Sequence, residues 1–243
     1  MKKIEVDLFT NIERKYHTFL PQVVTPITKE QAKMEKAAAK ELAKMEKTAA
    51  KEQATHDDKY TCDLLRNRFN RYRDTYINDD EDIKATGLSI RHQNPPEDVT
   101  ENIAKFIIQN FDNDPTCKWA KAIGKKGDLY SEKYKTDSPP EVKAFTSDGP
   151  SSFGPKKKFG VLYFLDMRQW LSDKFILWRV NLSNESSEWK QIKMNKTNTH
   201  TEQCDAGRRP HISWDKIYPQ ISDQCVKVYE GSFEGIFTPS VMV

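Results

Sequence analysis

The sequence predicts an α/β domain, with a central mixed β-sheet flanked by helices, that follows a long N-terminal helical extension. From Gly127 onward the spacing of apolar residues changes from a helical period to the two-residue period of strands. The segment FGVLYFL at 159–165 is apolar on both faces, as expected for a strand inside a sheet that is covered on two sides. Helices predicted before and after these strands give a layered α/β arrangement.

Composition limits the classes of protein that fit the chain. The 243 residues contain 37% hydrophobic and 31% charged residues, and no apolar run reaches the roughly 18 residues of a membrane helix. The start, MKKIEVDLFTN, is interrupted by Glu5 and Asp7 and does not resemble a secretory signal. We therefore expect a cytoplasmic protein without a membrane segment.

The net charge is only +3, so any surface for nucleic acid must be local. Basic clusters occur at 66–73, 156–158 and 208–209. The four cysteines contain no Cys-x-x-Cys pair, which favours reduced thiols over a zinc ribbon or a disulfide scaffold. His200 and Cys204 have helical metal-ligand spacing, but nothing nearby completes a four-ligand set.

Residues 1–85 are predicted to form a helical region. Its main feature is a tandem repeat, KMEKAAAKELA at 33–43 followed by KMEKTAAKEQA at 44–54. Its Ala, Lys, Glu, Met and Leu residues are strong helix formers. The 11-residue period places the apolar ones in a straight or slightly right-handed stripe along the helix. The stripe fits either a solvated spacer helix or a dimer contact.

The helix is expected to continue past His56 into YTCDLLRNRFNRYRDTY. There Leu65, Phe69, Tyr72 and Tyr76 share one face, and arginines, among them Arg66 and Arg73, fill the flanks. Such a helix suits contact with DNA phosphates, and it equally suits a surface helix held by salt bridges.

Residues 86–243 are predicted to form the catalytic domain. Its first helix is PPEDVTENIAKFIIQNF, with Val99, Ile103, Phe106 and Ile107 on the buried face and Glu101 near its start. A further helix is predicted at 214–221, and strands are predicted at 128–134, 141–145, 159–166, 174–182 and 189–194.

Asp128, Glu141 and Lys143 are the candidate catalytic residues. Magnesium prefers oxygen ligands and keeps several waters, so two carboxylates and a substrate phosphate can hold it. Residues two apart on a strand share a face, which places the Lys143 ammonium beside Glu141. Spacing alone does not select this set, because Asp173, Glu188 and Lys190 also combine an upstream aspartate with a Glu-x-Lys pattern. The turn-forming segment KTDSPP predicts a hairpin of the strands at 128–134 and 141–145. A glycine before Asp128, an acidic helix before this hairpin and the loop TSDGPSSFGPKKK after it favour the first set.

The phrases GDL, EVKAFTSDGPSSFGP and GVLYFLD, with GRRPHISW later in the chain, resemble PD-(D/E)xK nucleases, and more narrowly type II restriction endonucleases. The resemblance covers approximately residues 95–220 and not the repeat. It implies a restriction-endonuclease-like fold, Asp128 and Glu141 as metal ligands, Lys143 as the catalytic lysine, and Glu101 as a third metal ligand. The residue before Asp128 is Gly127, where the family pattern has proline.

The resemblance also implies a homodimer that cuts both strands of a short double-stranded DNA site with Mg²⁺, accompanied by a cognate DNA methyltransferase. Polar and basic side chains in two loops are the candidates for contacting bases and phosphates. They are Ser147, Ser151, Ser152 and Lys156 in the first loop, and Asn195, Lys196, Thr197, Asn198, Arg208 and Arg209 in the second. Two alternatives stay open, a repair or phage-type nuclease that reads DNA structure and a DNA-binding protein without catalysis.

Overall fold

The computed structural model describes residues 60–89 and 91–238. Residues 1–59 of the predicted helical region, which include the repeat at 33–54, lie outside the described residues. All described residues belong to a unit that spans Gln53–Val243.

Two helices come first along the described chain, six strands follow, and three shorter helices are interspersed with the last two strands. In order they are α1 (Cys62–Thr86), α2 (Glu97–Phe111), β1 (Lys118–Trp119), β2 (Leu129–Tyr130), β3 (Pro140–Phe145), β4 (Ser151–Ser152), β5 (Val161–Asp166), β6 (Phe175–Val180), α3 (Ser187–Gln191), α4 (His200–Asp205), β7 (His211–Ile212), α5 (Trp214–Ile221) and β8 (Cys225–Gly231). Short 3₁₀ turns occupy Ala120–Ile123, Trp170–Ser172, Ser222–Gln224 and Glu234–Phe237.

The central sheet has four strands in the order β3-β5-β6-β8. Strand β3 pairs with β5 in parallel, whereas β6 pairs antiparallel with both β5 and β8. All six residues of β5 are buried, which agrees with a strand that has neighbours on both edges and cover on both faces. The predicted mixed sheet flanked by helices is therefore confirmed.

Alternate residues of β5 point into two separate hydrophobic clusters. Val161, Tyr163 and Leu165 pack with the buried faces of α1 and α2, whereas Leu162 and Phe164 pack on the other side, with α3 and α5 among their neighbours. This alternation follows from the two-residue period of a strand. Because Glu141 and Lys143 are registered opposite Leu162 and Phe164, their side chains share the face of the second cluster.

Helix α1 begins at its own N-cap, which corrects the prediction of one helix running on from the repeat. Thr61 has an extended backbone, and its hydroxyl accepts a hydrogen bond from Leu64 N at 3.2 Å. Such a cap satisfies one of the free backbone N–H groups at a helix start. The predicted apolar face is confirmed for Leu65, Phe69 and Tyr72, which are buried.

Two predicted strand features are wrong. Strand β2 does not form a hairpin with β3, since it pairs antiparallel with β1, while β3 pairs with β5. The stretch 189–194 is not a strand, because residues Ser187–Gln191 form a short helix. Strand β8, at the edge of the sheet, was not predicted.

The part of the chain that the structure describes contains no helix with both the length and the apolar character needed to cross a membrane.

Candidate active site

A cleft of about 860 Å³ opens beside the predicted catalytic residues. The N-terminal end of α2, the second half of β3 and the loop between β3 and β4 form its walls. Residues that carry charges or hydroxyls dominate the lining, and they include Arg91, Glu97, Glu101, Lys121, Asp128, Lys143, Ser147, Ser151, Ser152 and Lys157.

Asp128 is anchored to strand β3. Its Oδ2 atom accepts a hydrogen bond from Val142 N at 2.9 Å, and its side chain is only 13% exposed. The preceding residue, Gly127, has a φ of 101°. Proline cannot adopt this backbone conformation, so the departure from the family pattern has a structural cause.

Glu141 and Lys143 lie together on one face of β3, as their spacing predicts. Lys143 Nζ donates to Glu141 Oε1 at 2.6 Å. The Glu141 side chain is 2% exposed, and the Lys143 side chain is 20% exposed at the edge of the cleft. The structure thus brings Asp128, Glu141 and Lys143 to one place.

Lys157 is a fourth member of this cluster that the sequence did not single out. Its Nζ atom lies 3.0 Å from Asp128 Oδ1 and 2.6 Å from Glu141 Oε2. One ammonium group therefore joins the two carboxylates that were predicted as metal ligands. The three consecutive lysines of the loop pointed to positive charge here, but nothing in their spacing distinguishes the middle one.

The surroundings of the cluster shift the pKa values of its two carboxyl groups in opposite directions. Burial acts against ionisation of Asp128, but the adjacent Lys157 charge and the Val142 hydrogen bond outweigh it, so the pKa of Asp128 is lowered. Burial and the nearby Asp128 charge raise the pKa of Glu141, despite Lys143 and Lys157. Buried like charges that interact electrostatically separate their pKa values in this way.

Glu101 lies in the wall of the same cleft. Its carboxylate accepts from the Trp119 indole N–H at 2.6 Å and from Lys121 Nζ at 3.3 Å. Burial raises the pKa of Glu101 to about 7, the Trp119 hydrogen bond opposes the rise, and the charge of Asp128 adds to it. This electrostatic effect links Glu101 to the Asp128 cluster, although its role as a metal ligand stays a prediction.

The residues of this cluster fit a hard divalent cation. Asp128 and Glu141 offer carboxylate oxygens, the ligand type that Mg²⁺ prefers. Glu141 Oε2 is buried and already faces a positive charge, because the Lys157 ammonium lies 2.6 Å away.

The described residues do not form a complete metal cage, since no three His, Cys, Asp or Glu side chains converge on one point. Magnesium usually keeps several waters and binds through one or two carboxylates plus substrate phosphates. Two carboxylates are therefore sufficient for this class of site.

Comparison with family models gave a match to the Bsp6I restriction endonuclease model over residues 63–219. The chain belongs to this family. Comparison with curated proteins and with solved structures gave no match. Membership assigns the chain to the nucleases of restriction systems, which act on DNA. The match runs from the second residue of α1 to Pro219, two residues before the end of α5, and so includes Asp128, Glu141, Lys143 and Lys157.

In this restriction endonuclease family member, the loop residues Ser147, Ser151 and Ser152 line the cleft. Ser151 and Ser152 form β4, which pairs antiparallel with His211 and Ile212 in β7. This pairing brings the first loop beside the chain that carries Arg208 and Arg209, both of which are exposed. Lys156 is also exposed, one residue before Lys157.

The remaining candidates for DNA contact are not among the residues that line the cleft. Asn195, Lys196, Thr197 and Asn198 form a turn in which Asn195 Oδ1 accepts from the backbone N–H groups of Thr197 and Asn198. Arg66 pairs with Glu234 at 2.8 Å and with Asp63, whereas Arg73 is exposed on α1.

The rival set is not assembled. Asp173 Oδ1 accepts from Phe233 N at 2.8 Å, while Glu188 and Lys190 lie on the short helix α3. Lys190 pairs with Glu185 rather than with Glu188. Of the two sets that share the Glu-x-Lys spacing, only Asp128, Glu141 and Lys143 converge.

Proposed function

We propose that this protein is a Mg²⁺-dependent type II restriction endonuclease that cuts double-stranded DNA at a short specific site. The observation that carries the proposal is the convergence of Asp128, Glu141 and Lys143 beside an open polar cleft. Family membership supports the nuclease class, and the arrangement of these side chains supports the metal-dependent chemistry.

Asp128 and Glu141 are the proposed metal ligands, with Glu101 as a third carboxylate nearby. Bound Mg²⁺ supplies positive charge that neutralises the scissile phosphate. The Val142 N–H fixes the Asp128 carboxylate, and strand β3 fixes Glu141. Both carboxylates are thereby held before substrate arrives, which lowers the reorganisation needed during reaction.

Lys143 is the proposed catalytic lysine. Its ammonium lies 2.6 Å from Glu141 and reaches the cleft wall. From there it can orient the attacking water towards the phosphate and stabilise the negative charge that develops in the transition state.

Base and phosphate contacts are assigned to the first loop, through Ser147, Ser151, Ser152 and Lys156, and to Arg208 and Arg209 beside it. Asn195, Lys196, Thr197, Asn198, Arg66 and Arg73 are the proposed outer contacts. A homodimer would present two such clefts to a palindromic site. A cognate DNA methyltransferase and a cytoplasmic location complete the proposed restriction system.

Digestion of a plasmid with the purified full chain tests the proposal. We expect discrete fragments in Mg²⁺ and intact plasmid in EDTA. End mapping of the fragments then gives the recognition site. A smear, or nicking that follows DNA structure, would contradict sequence-specific cleavage.

Lys143→Met tests the site assignment. We expect its cleavage rate to fall by about 100-fold or more, because one preorganised charge that stabilises the transition state is lost. Lys190→Met is the matched control from the rival set, and its rate should stay close to that of the wild type. Undiminished cleavage by Lys143→Met would show that the site is elsewhere.

A further inference from the structure

Lys157 occupies an unusual position for a loop lysine. It lies in the segment between β4 and β5, where its backbone N–H donates to Gly154 O at 3.0 Å in a turn. Its side chain is 38% exposed, yet its ammonium is within 3.0 Å of two largely buried carboxylates. The side chain is therefore partly open to solvent, while its ammonium contacts the two carboxylates of the site.

The cluster is electrically balanced by its two lysines. Lys143 contacts Glu141 Oε1, and Lys157 contacts Glu141 Oε2 and Asp128 Oδ1. The Lys157 ammonium therefore lies between the two carboxylates and serves as their shared counter-charge.

A divalent cation bound by Asp128 and Glu141 would compete with this ammonium. Both are positive and both are attracted to the same pair of carboxylates, so they repel each other at distances of a few ångströms. A side chain on an exposed loop can turn away from the carboxylates, whereas Lys143, on a strand of the central sheet, is held more firmly.

We propose that Lys157 is an exchangeable internal cation, which neutralises Asp128 and Glu141 in the metal-free protein and is displaced into the cleft when a divalent cation binds. This inference rests on the proposed function, because it requires both carboxylates to be metal ligands. Lys157 is then a positioning residue that holds the two ligands together before metal arrives and lowers the affinity of the DNA-free protein for metal.

Thermal unfolding of the full-length, DNA-free protein tests this role without measuring cleavage. The protein is titrated with MgCl₂ at constant ionic strength, and the rise in Tm gives the Mg²⁺ affinity, since a ligand that binds only the folded state stabilises it. In EDTA we expect Lys157→Met to have a lower Tm than the wild type, because two buried carboxylates lose their shared counter-charge. We expect the same variant to bind Mg²⁺ about tenfold more tightly than the wild type.

Three further variants make the result specific. Lys157→Arg keeps the charge and should behave like the wild type. Lys158→Met removes a charge from the same exposed loop and should change the Mg²⁺ affinity by less than about twofold, as expected for a screened surface charge. If Lys157→Met does not fold, Lys157→Gln removes the charge with a smaller loss of polarity and should also tighten Mg²⁺ binding.

Asp128→Asn separates failure of the inference from failure of the proposed function. If it abolishes the Mg²⁺ response while Lys157→Met binds Mg²⁺ no more tightly than the wild type, the exchangeable-cation role is wrong and the metal site stands. If Asp128→Asn leaves the Mg²⁺ response unchanged, the metal site is wrong, and the role of Lys157 is overturned with it.

Discussion

Gly127 controls the position of Asp128 through its backbone. Its φ of 101° lies in a region that residues with a side chain rarely adopt. A Cβ atom at this position would lie 2.7 Å from Pro139 Cγ, so the chain before Asp128 and the chain before β3 can approach closely only with glycine here. This close approach allows the Asp128 carboxylate to reach Val142 N.

We predict that Gly127→Ala destabilises the protein by about 2 kcal/mol or more, because backbone strain of 1–3 kcal/mol is added to a steric clash. The matched control is Gly124→Ala, where φ is 67° and no atom lies within 4 Å of the added Cβ. Urea unfolding of both variants measures the difference. Equal losses of stability would show that the contact with Pro139 is unimportant.

The residues of the site differ in how well the sequence predicts them. Glu141 and Lys143 are two apart on a strand, so their proximity follows from local geometry. The proximity of Asp128 depends on Gly127 and Pro139, and a positive φ is not visible as such in a sequence. Lys157 is far along the chain from its partners Asp128 and Glu141, and only the fold brings the three side chains together.

At the scale of elements, the spacing of apolar residues predicted the central strands. It predicted the wrong element where the same residues fit both a helical and a strand period. In 189–194, Trp189, Ile192 and Met194 are all buried, but the helix ends at Gln191 and Ile192 is its C-cap, so the apolar spacing of this stretch combines a helix end with the chain that follows it. Strand β8 is at the sheet edge and most of its side chains are at least partly exposed, so it lacks the apolar pattern that reveals β5. The prediction of a β2–β3 hairpin was wrong because turn-forming residues mark a change of chain direction but do not identify the strand with which the chain then pairs.

Arg168 connects three elements close to the first loop. Its guanidinium contacts Asp166 at the end of β5 at 2.7 Å, Asp148 in the loop after β3 at 2.7 Å, and Asp215 in α5 at 3.0 Å. Asp166 is largely buried, whereas Asp148 is 77% exposed. The contact with Asp166 should therefore contribute most to stability, since exposed ion pairs contribute little.

We predict that Arg168→Met destabilises the protein by about 2 kcal/mol, because it leaves the Asp166 carboxylate largely buried without its charged hydrogen-bond donor. Asp148→Asn should cost less than about 1 kcal/mol, and Arg73→Met, on the exposed side of α1, should cost less than about 0.5 kcal/mol. Chemical denaturation measures all three. A loss of stability in Asp148→Asn as large as that in Arg168→Met would contradict the assignment of most of the stabilisation to the Asp166 contact.

In the whole described fold, one hydrophobic cluster joins residues inside the match to the family model to residues after position 219, where the match ends. Helix α1 contributes Leu65 and Phe69 to the cluster on one face of the sheet, and the chain after β8 contributes Phe233 and Ile236. Phe69 and Phe233 stack with ring centroids 4.1 Å apart. Residues from both ends of the described chain thus stabilise the same sheet face, although the model match ends at residue 219.

The division into residues 1–85 and 86–243 stays a prediction. The packing of α1 against α2 shows that residues 62–86 contribute to the fold of the catalytic region. The repeat at 33–54 stays a predicted spacer helix or dimer contact, and it lies outside the described residues.

We predict that deletion of residues 33–54 leaves the catalytic fold and the cleavage chemistry at least partly intact, while DNA affinity or dimerisation falls. The described members of both hydrophobic clusters lie in the unit that spans Gln53–Val243, whereas residues 33–52 belong to the other compact unit, Met1–Glu52. In contrast, Phe69→Ala should cost about 3–5 kcal/mol, the range for truncating a buried phenylalanine. Thermal unfolding, plasmid cleavage and sedimentation are compared for the wild type, the deletion variant and Phe69→Ala. Complete loss of folding on deletion of the repeat would contradict the prediction.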